Sequence, residues 1–101
     1  MAVFEDFDDV DDLAEGLDDP SPGGRIMAVM ELKDSADPAA IPHIARAITD
    51  EDSGVRLQAA RALTDFDGPE TSAALVIALS DEDEKVRAAA EALGYRPNVL
   101  A

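Results

Sequence analysis

An all-α solenoid, three short antiparallel helix pairs stacked along one axis, is the fold class this sequence predicts, and three observations predict it. The first is a period: Asp19, Asp50 and Asp81 stand 31 residues apart, as do Arg25, Arg56 and Arg87. The second is that the apolar positions ahead of them keep the same step, Leu13, Ile44, Leu75 and Leu17, Ile48, Leu79, while Pro38 recurs as Pro69. The third is composition: 47% of residues are apolar but only 4% aromatic, with no Trp. Such a core must be built from Ala, Leu, Ile and Val, which suits short helices packed closely. A fixed period in this range marks an array of supersecondary units, none of which can bury its apolar face without its neighbours.

Taken in order, the first element is acidic. Residues 1–19 carry nine acids and no base, yet Val3, Phe4, Phe7, Val10, Leu13, Ala14 and Leu17 recur at helical spacing. From about Asp9 this is the first helix of the first repeat; the part before it, with two Phe residues, reads as a cap over the open end of the stack or as an acidic arm. Pro20 to Gly24 break the helix and predict the first turn. A second helix is expected from about Arg25 to Lys33. Asp37 followed by Pro38 signals the next start, an N-cap with Pro at the first helical position. Pro42 then delays the regular helix to about Ala40, with Ile41, Ile44, Ala45 and Ile48 on one face. Asp50 to Gly54 predict the next turn, and Val55, Ala59, Ala62, Leu63 and Phe66 the buried stripe of the helix after it. Asp67, Gly68 and Pro69 break the chain again. The third pair is expected over Thr71 to Leu79 and Lys85 to Leu93, with Leu75, Leu79, Val86, Ala90 and Leu93 inward and Gly94 as C-cap. The organisation predicted is therefore an N-terminal cap or arm over residues 1–8, one repeat domain over 9–96 with repeats at about 9–36, 37–67 and 68–96, and a tail over 97–101.

Charge narrows the partners. With 23 acidic against 8 basic residues the formal net charge is −15, which disfavours nucleic acid and anionic membranes, since both need a basic surface. The acids are mostly Asp and the bases mostly Arg, with only Lys33 and Lys85, a composition that resembles that of proteins from salt-adapted microbes. At 1 M salt the Debye length is about 3 Å, short enough to remove such self-repulsion. Added salt is therefore expected to raise the melting temperature, and a melting temperature indifferent to salt would contradict self-repulsion as a destabilising force. There is no cysteine, hence no disulfide or thiolate site. The N-terminus has neither a basic nor an apolar signal-peptide region, and no apolar run approaches the roughly 18 residues of a membrane span. A cytoplasmic location is the expectation.

Asp50 to Leu63 reads Asp-Glu-Asp-x-x-Val-Arg-x-x-Ala-Ala-x-Ala-Leu, a shorter variant stands at Asp81 to Leu93, and a degenerate first copy has Gly24 in place of Val. These residues resemble the HEAT-like repeats found in phycobilisome lyases and in many small prokaryotic proteins. The resemblance covers about residues 9–96 and implies a right-handed superhelix, with the first helix of each pair on a convex face and the second lining a concave one. It further implies a structural ladder of Asp19, Asp50 and Asp81 against Arg25, Arg56 and Arg87. Carboxylates there would meet the positive end of a helix dipole, and the Arg fork would link turn to turn.

Sites for chemistry are scarce. Asp50, Asp52 and Gly54 imitate the opening of a calcium loop, but the glycine falls one position early and Arg61 stands where the closing Glu belongs. Helix capping explains the acids better, and no metal is expected. His43 is the only histidine, so neither a multi-histidine metal site nor a His-Glu iron site can be built. Gly23, Gly24 and Arg25 lack the ending of a phosphate loop. No catalytic residue and no cofactor is expected. What remains is a binding face. Met27, Gln58 and Ala89 align in one column of the second helices and Met30, Arg61 and Ala92 in the next, with Glu91 beside them; methionine makes adaptable apolar contacts and Arg is enriched at interfaces. The competing reading places Met27 or Met30 in the core of the first repeat. The expected function is thus a small, non-catalytic scaffold binding a partner protein through the concave face at Met27, Met30, Gln58, Arg61 and Glu91, as a monomer or an end-to-end dimer. The alternative that the resemblance implies is an accessory subunit of a bilin lyase or isomerase.

Overall fold

The computed structural model describes residues 9–92. Over that span the chain forms six α-helices and no strand: α1 (Val10–Ala14), α2 (Pro22–Ser35), α3 (Ile41–Ala47), α4 (Ser53–Leu63), α5 (Pro69–Leu79) and α6 (Glu84–Ala92). α1 pairs with α2, α3 with α4 and α5 with α6, so the architecture is the all-α solenoid of three helix pairs that the period predicts. The second helices α2, α4 and α6 pack side by side in one layer, and α3 meets α5 in the other. None of these helices is long and apolar enough to cross a membrane. Residues 1–8, Leu93, the Gly94 cap and the tail at 97–101 lie outside the described residues.

The first helices of repeats 1 and 2 are short, for reasons visible in the sequence. α1 passes into a 3₁₀ turn over Glu15–Asp18, and α3 is preceded by another over Pro38–Ala40. There the Asp37 carboxylate accepts from the Ala39 N–H at 2.9 Å. The regular helix then starts at Ile41, with Pro42 in its first turn, where a missing N–H breaks no intrahelical bond.

The second helices begin earlier than the breaker residues suggest. α2 starts at Pro22, so Gly23 and Gly24 lie in its first turn instead of in a connecting turn, and Gly54 likewise lies inside α4. The cause is capping. The Ser21 hydroxyl accepts from the Gly24 N–H at 3.3 Å, and the Asp52 carboxylate accepts from the Val55 N–H at 3.1 Å. These caps satisfy N–H groups that a helix start leaves open, and outweigh the modest helix-breaking tendency of one or two glycines. Gly68, by contrast, acts as a breaker: at φ 118 it sits in the left-handed region that side chains avoid, and α5 starts directly after it.

One core runs through all three repeats. Its largest fully buried side chains are Val29, Leu32, Ile44, Ile48, Val55, Leu63 and Val86. On α4 the expected stripe of Val55, Ala59, Ala62 and Leu63 is buried and Ala60 joins it, whereas Phe66 is half-buried at the margin. Ala45 and Leu79 are also only half-buried, while Ile41, Leu75 and Ala90 are buried. α4 packs against α2, α3, α5 and α6 and is the centre of the molecule. Ala59, Ala60, Ala89 and Ala90 keep the facing surfaces of α4 and α6 small, which lets these helices approach closely while the branched side chains fill the space between layers.

Candidate functional site

Along one edge of the stack, where each first helix turns into its second, two arginines tie repeat to repeat. Arg25 donates from Nε and Nη2 to the two Asp50 carboxylate oxygens at 3.0 and 3.1 Å, and its Nη1 donates to the Asp19 carbonyl at 2.9 Å. Arg56 repeats the arrangement one unit on, with Nε and Nη2 to Asp81 at 2.9 and 3.3 Å and Nη1 to the Asp50 carbonyl at 2.8 Å. One edge of each guanidinium fork therefore closes the turn of its own repeat while the other grips the carboxylate of the next. Lysine, a point charge with no fork, cannot make this two-sided contact. Arg87 keeps the inner half only, with Nη1 donating to the Asp81 carbonyl at 2.6 Å, and no carboxylate partner is present among the described residues.

The ladder aspartates do not cap the helices, as the position of the acidic turns suggests they would. Asp50 and Asp81 use Oδ1 to accept from the N–H of Asp52 and Asp83, at 2.9 and 2.8 Å, and this fixes the turn. Capping falls to the residues two places on, Ser21, Asp52 and Asp83, the last accepting from the Val86 N–H at 3.2 Å. The reading of the sequence missed this second column, although it keeps the same step of 31 residues.

Electrostatics follow from the geometry. Burial of the Asp81 carboxyl pushes its pKa up, but the Asp83 N–H and the Arg56 guanidinium, aided by Arg87, more than offset this and hold it below the ordinary carboxylate range. Because the folded value is depressed, the stabilisation is complete above the unfolded pKa of Asp, about 3.9. It is lost as pH falls through the lower folded value. The side-chain hydrogen bonds to Asp50 and Asp81 hold Arg25 and Arg56 above their ordinary pKa, against partial burial. Both remain charged throughout.

The geometry also explains Gly24, which stands where repeats 2 and 3 carry Val55 and Val86. A Cβ on Gly24 would lie 2.4 Å from the Asp19 carboxylate carbon. No arginine of a preceding repeat draws Asp19 outward among the described residues, and its Oδ1 instead accepts from the Ser21 N–H at 2.8 Å. Gly24→Val is therefore expected to cost about 1 kcal/mol, the worth of the Asp19 contact it displaces. In an Asp19→Ala background the same change should be neutral or stabilising. Chemical denaturation of the four proteins checks this; an equal cost in both backgrounds would contradict it.

A family model of HEAT repeats matches residues 10–94. The chain belongs to the HEAT repeat family. Comparison with curated proteins returned no match. HEAT repeats generally serve as protein-interaction scaffolds, so the surfaces that the ladder and core leave uncovered are where function has to be sought.

On this HEAT-repeat chain the residues picked out for the second-helix face fall as follows. Met27 and Met30 are 58% and 45% exposed, so neither fills the core of the first repeat. Arg61 is exposed and Gln58 half-buried beside them. Ala89, the third member of the Met27 column, is buried. Glu91 is exposed, but by the repeat step it takes the place of Val29 and Ala60, both fully buried, and so lies on the far side of α6 from Ala89. His43 is half-buried, with Nε2 3.4 Å from the Asp11 carboxylate across the first two repeats. Among the described residues no three His, Cys, Asp or Glu side chains converge as metal ligands would. Sequence reasoning also passed over Val76 and Ile77 on α5, which are 45% and 53% exposed. Their signal was a departure from the repeat pattern, because the matching places hold Ala45 and Arg46 in repeat 2 and Ala14 and Glu15 in repeat 1.

Proposed function

We propose that this HEAT-repeat chain is a non-catalytic cytoplasmic scaffold that binds a partner protein through the layer of second helices, using Met27, Met30, Gln58 and Arg61, with Glu91 left off this face by its place on α6. The observation that carries this reading is the exposure of Met27 and Met30 on the same face as Arg61. Two flexible thioether side chains left in water, next to an arginine free of the ladder, suit a contact surface that adapts to its partner. α2, α4 and α6 pack side by side in one layer, so a partner element laid across it gains contacts from all three repeats. The acidic field of a chain with net charge −15 favours partners with basic surfaces and speeds their encounter.

The test is capture from a lysate of the source organism at its native ionic strength, with the wild type and with a Met27→Ala, Met30→Ala, Arg61→Ala variant. Circular dichroism first verifies that the variant is folded. The expected result is a protein held by the wild type and lost by the variant. Retention by both would move the binding site off this face.

A further inference from the structure

On the opposite layer, the junction between repeats 2 and 3 differs from the junction before it. At the first junction Leu17, Arg46, Ala47 and Asp50 border a recess of about 90 Å³. At the second, the equivalent places open into a groove of about 860 Å³ whose floor is Ile48, Val76 and Ile77. Arg46 thus has Ile77 as its counterpart, and Ala45 has Val76. Neither apolar side chain is needed for stacking, since repeats 1 and 2 pack without them, and both are about half exposed. With Ile48 they form one contiguous apolar patch inside a groove bordered by polar residues, the kind of surface that serves as a contact site.

The rim supplies the other half of the recognition. Asp50 and Asp81 are neutralised by Arg25 and Arg56, and Arg56 is itself committed to Asp81 and to the Asp50 and Glu51 carbonyls. That leaves Glu82, and Glu51, whose side chain is 90% exposed and touches the Arg25 guanidinium only at 4.0 Å, as the charges facing an incoming group. The geometry points to this groove as a second protein-binding site, for a short segment of a partner that places an aliphatic or aromatic side chain on Ile48, Val76 and Ile77 and flanks it with Lys or Arg for Glu51 and Glu82. A second copy of this chain, at net charge −15, brings the wrong charge to that rim. The site is independent of the face carrying Met27, Met30 and Arg61.

The repeat pattern provides the control. Val76→Ala with Ile77→Arg writes the residues of repeat 2 into repeat 3, places where the fold already accepts them, and closes the apolar floor with a positive charge. A displayed library of random dodecapeptides is panned on the wild type at physiological salt, and the selected peptides are measured by fluorescence polarisation. The expected peptides carry an apolar anchor flanked by Lys or Arg, lose at least about tenfold in affinity on the double variant, and weaken as salt rises. They bind the Met27→Ala, Met30→Ala, Arg61→Ala variant unchanged, which separates this site from the second-helix face. Glu51→Lys with Glu82→Lys is expected to abolish binding as well. Peptides without the basic and apolar pattern, or peptides bound equally by wild type and Val76→Ala, Ile77→Arg, would overturn the assignment.

Discussion

Arg56→Ala is expected to lower stability by roughly 2 kcal/mol, a fall in melting temperature on the order of 10 °C for a domain of this size. The side chain makes four hydrogen bonds, two to Asp81 and two to carbonyls of its own turn. Its loss leaves the Asp81 carboxylate, only 9% exposed, without its cation. Removing one partner of such a pair costs more than the pair is worth, because the remaining charge is still desolvated. The figure is set below that for a fully buried pair because the ladder runs along an edge that water reaches. Arg61→Ala is the matched control. Exposed and outside the ladder, it should change stability by no more than about 0.5 kcal/mol. Thermal melts of the two variants decide between these roles, and a larger shift for Arg61→Ala would reverse the assignment.

Leu63→Ala is expected to cost more, about 3 kcal/mol, read as a lower denaturant midpoint with little change in slope. Leu63 is fully buried on α4, the helix that touches α2, α3, α5 and α6, so no single neighbour can collapse into the space left behind. In a domain whose total stability is of the order of 5–15 kcal/mol, that approaches the margin for folding at all. A cost below about 1 kcal/mol would mean that the repeats are not packed around one shared core.

The period put Arg25, Arg56 and Arg87 in equivalent places, and the resemblance to HEAT-like repeats implied that they form a ladder with the aspartates. Arg25, Arg56 and Arg87 recur without a slip, and only a stacked array places residues 31 apart in equivalent positions. What period alone could not show is which partner each arginine takes. The bonds run from Arg25 to Asp50 and from Arg56 to Asp81, so Asp19 is left to fold back over Gly24. Helix starts were less legible. Gly23, Gly24 and Gly54 read as turn residues, yet Ser21 and Asp52 cap ahead of them and carry the helix through. Val76 and Ile77 were hidden for a different reason. α5 is apolar nearly all round, as Ala73, Ala74, Leu75, Val76, Ile77 and Ala78 show, so helical periodicity cannot separate the buried side from the exposed one. Only comparison with Ala45 and Arg46, one repeat earlier, sets the pair apart.

The ladder joins neighbouring repeats into one stack and leaves the helix faces for partners. A double-mutant cycle on Arg56→Ala and Asp81→Ala tests it most directly, because contacts that either residue makes separately cancel. The expected coupling is at least about 1 kcal/mol, with the double variant much less destabilised than the sum of the single ones. Single variants whose effects add to within about 0.5 kcal/mol would contradict the account.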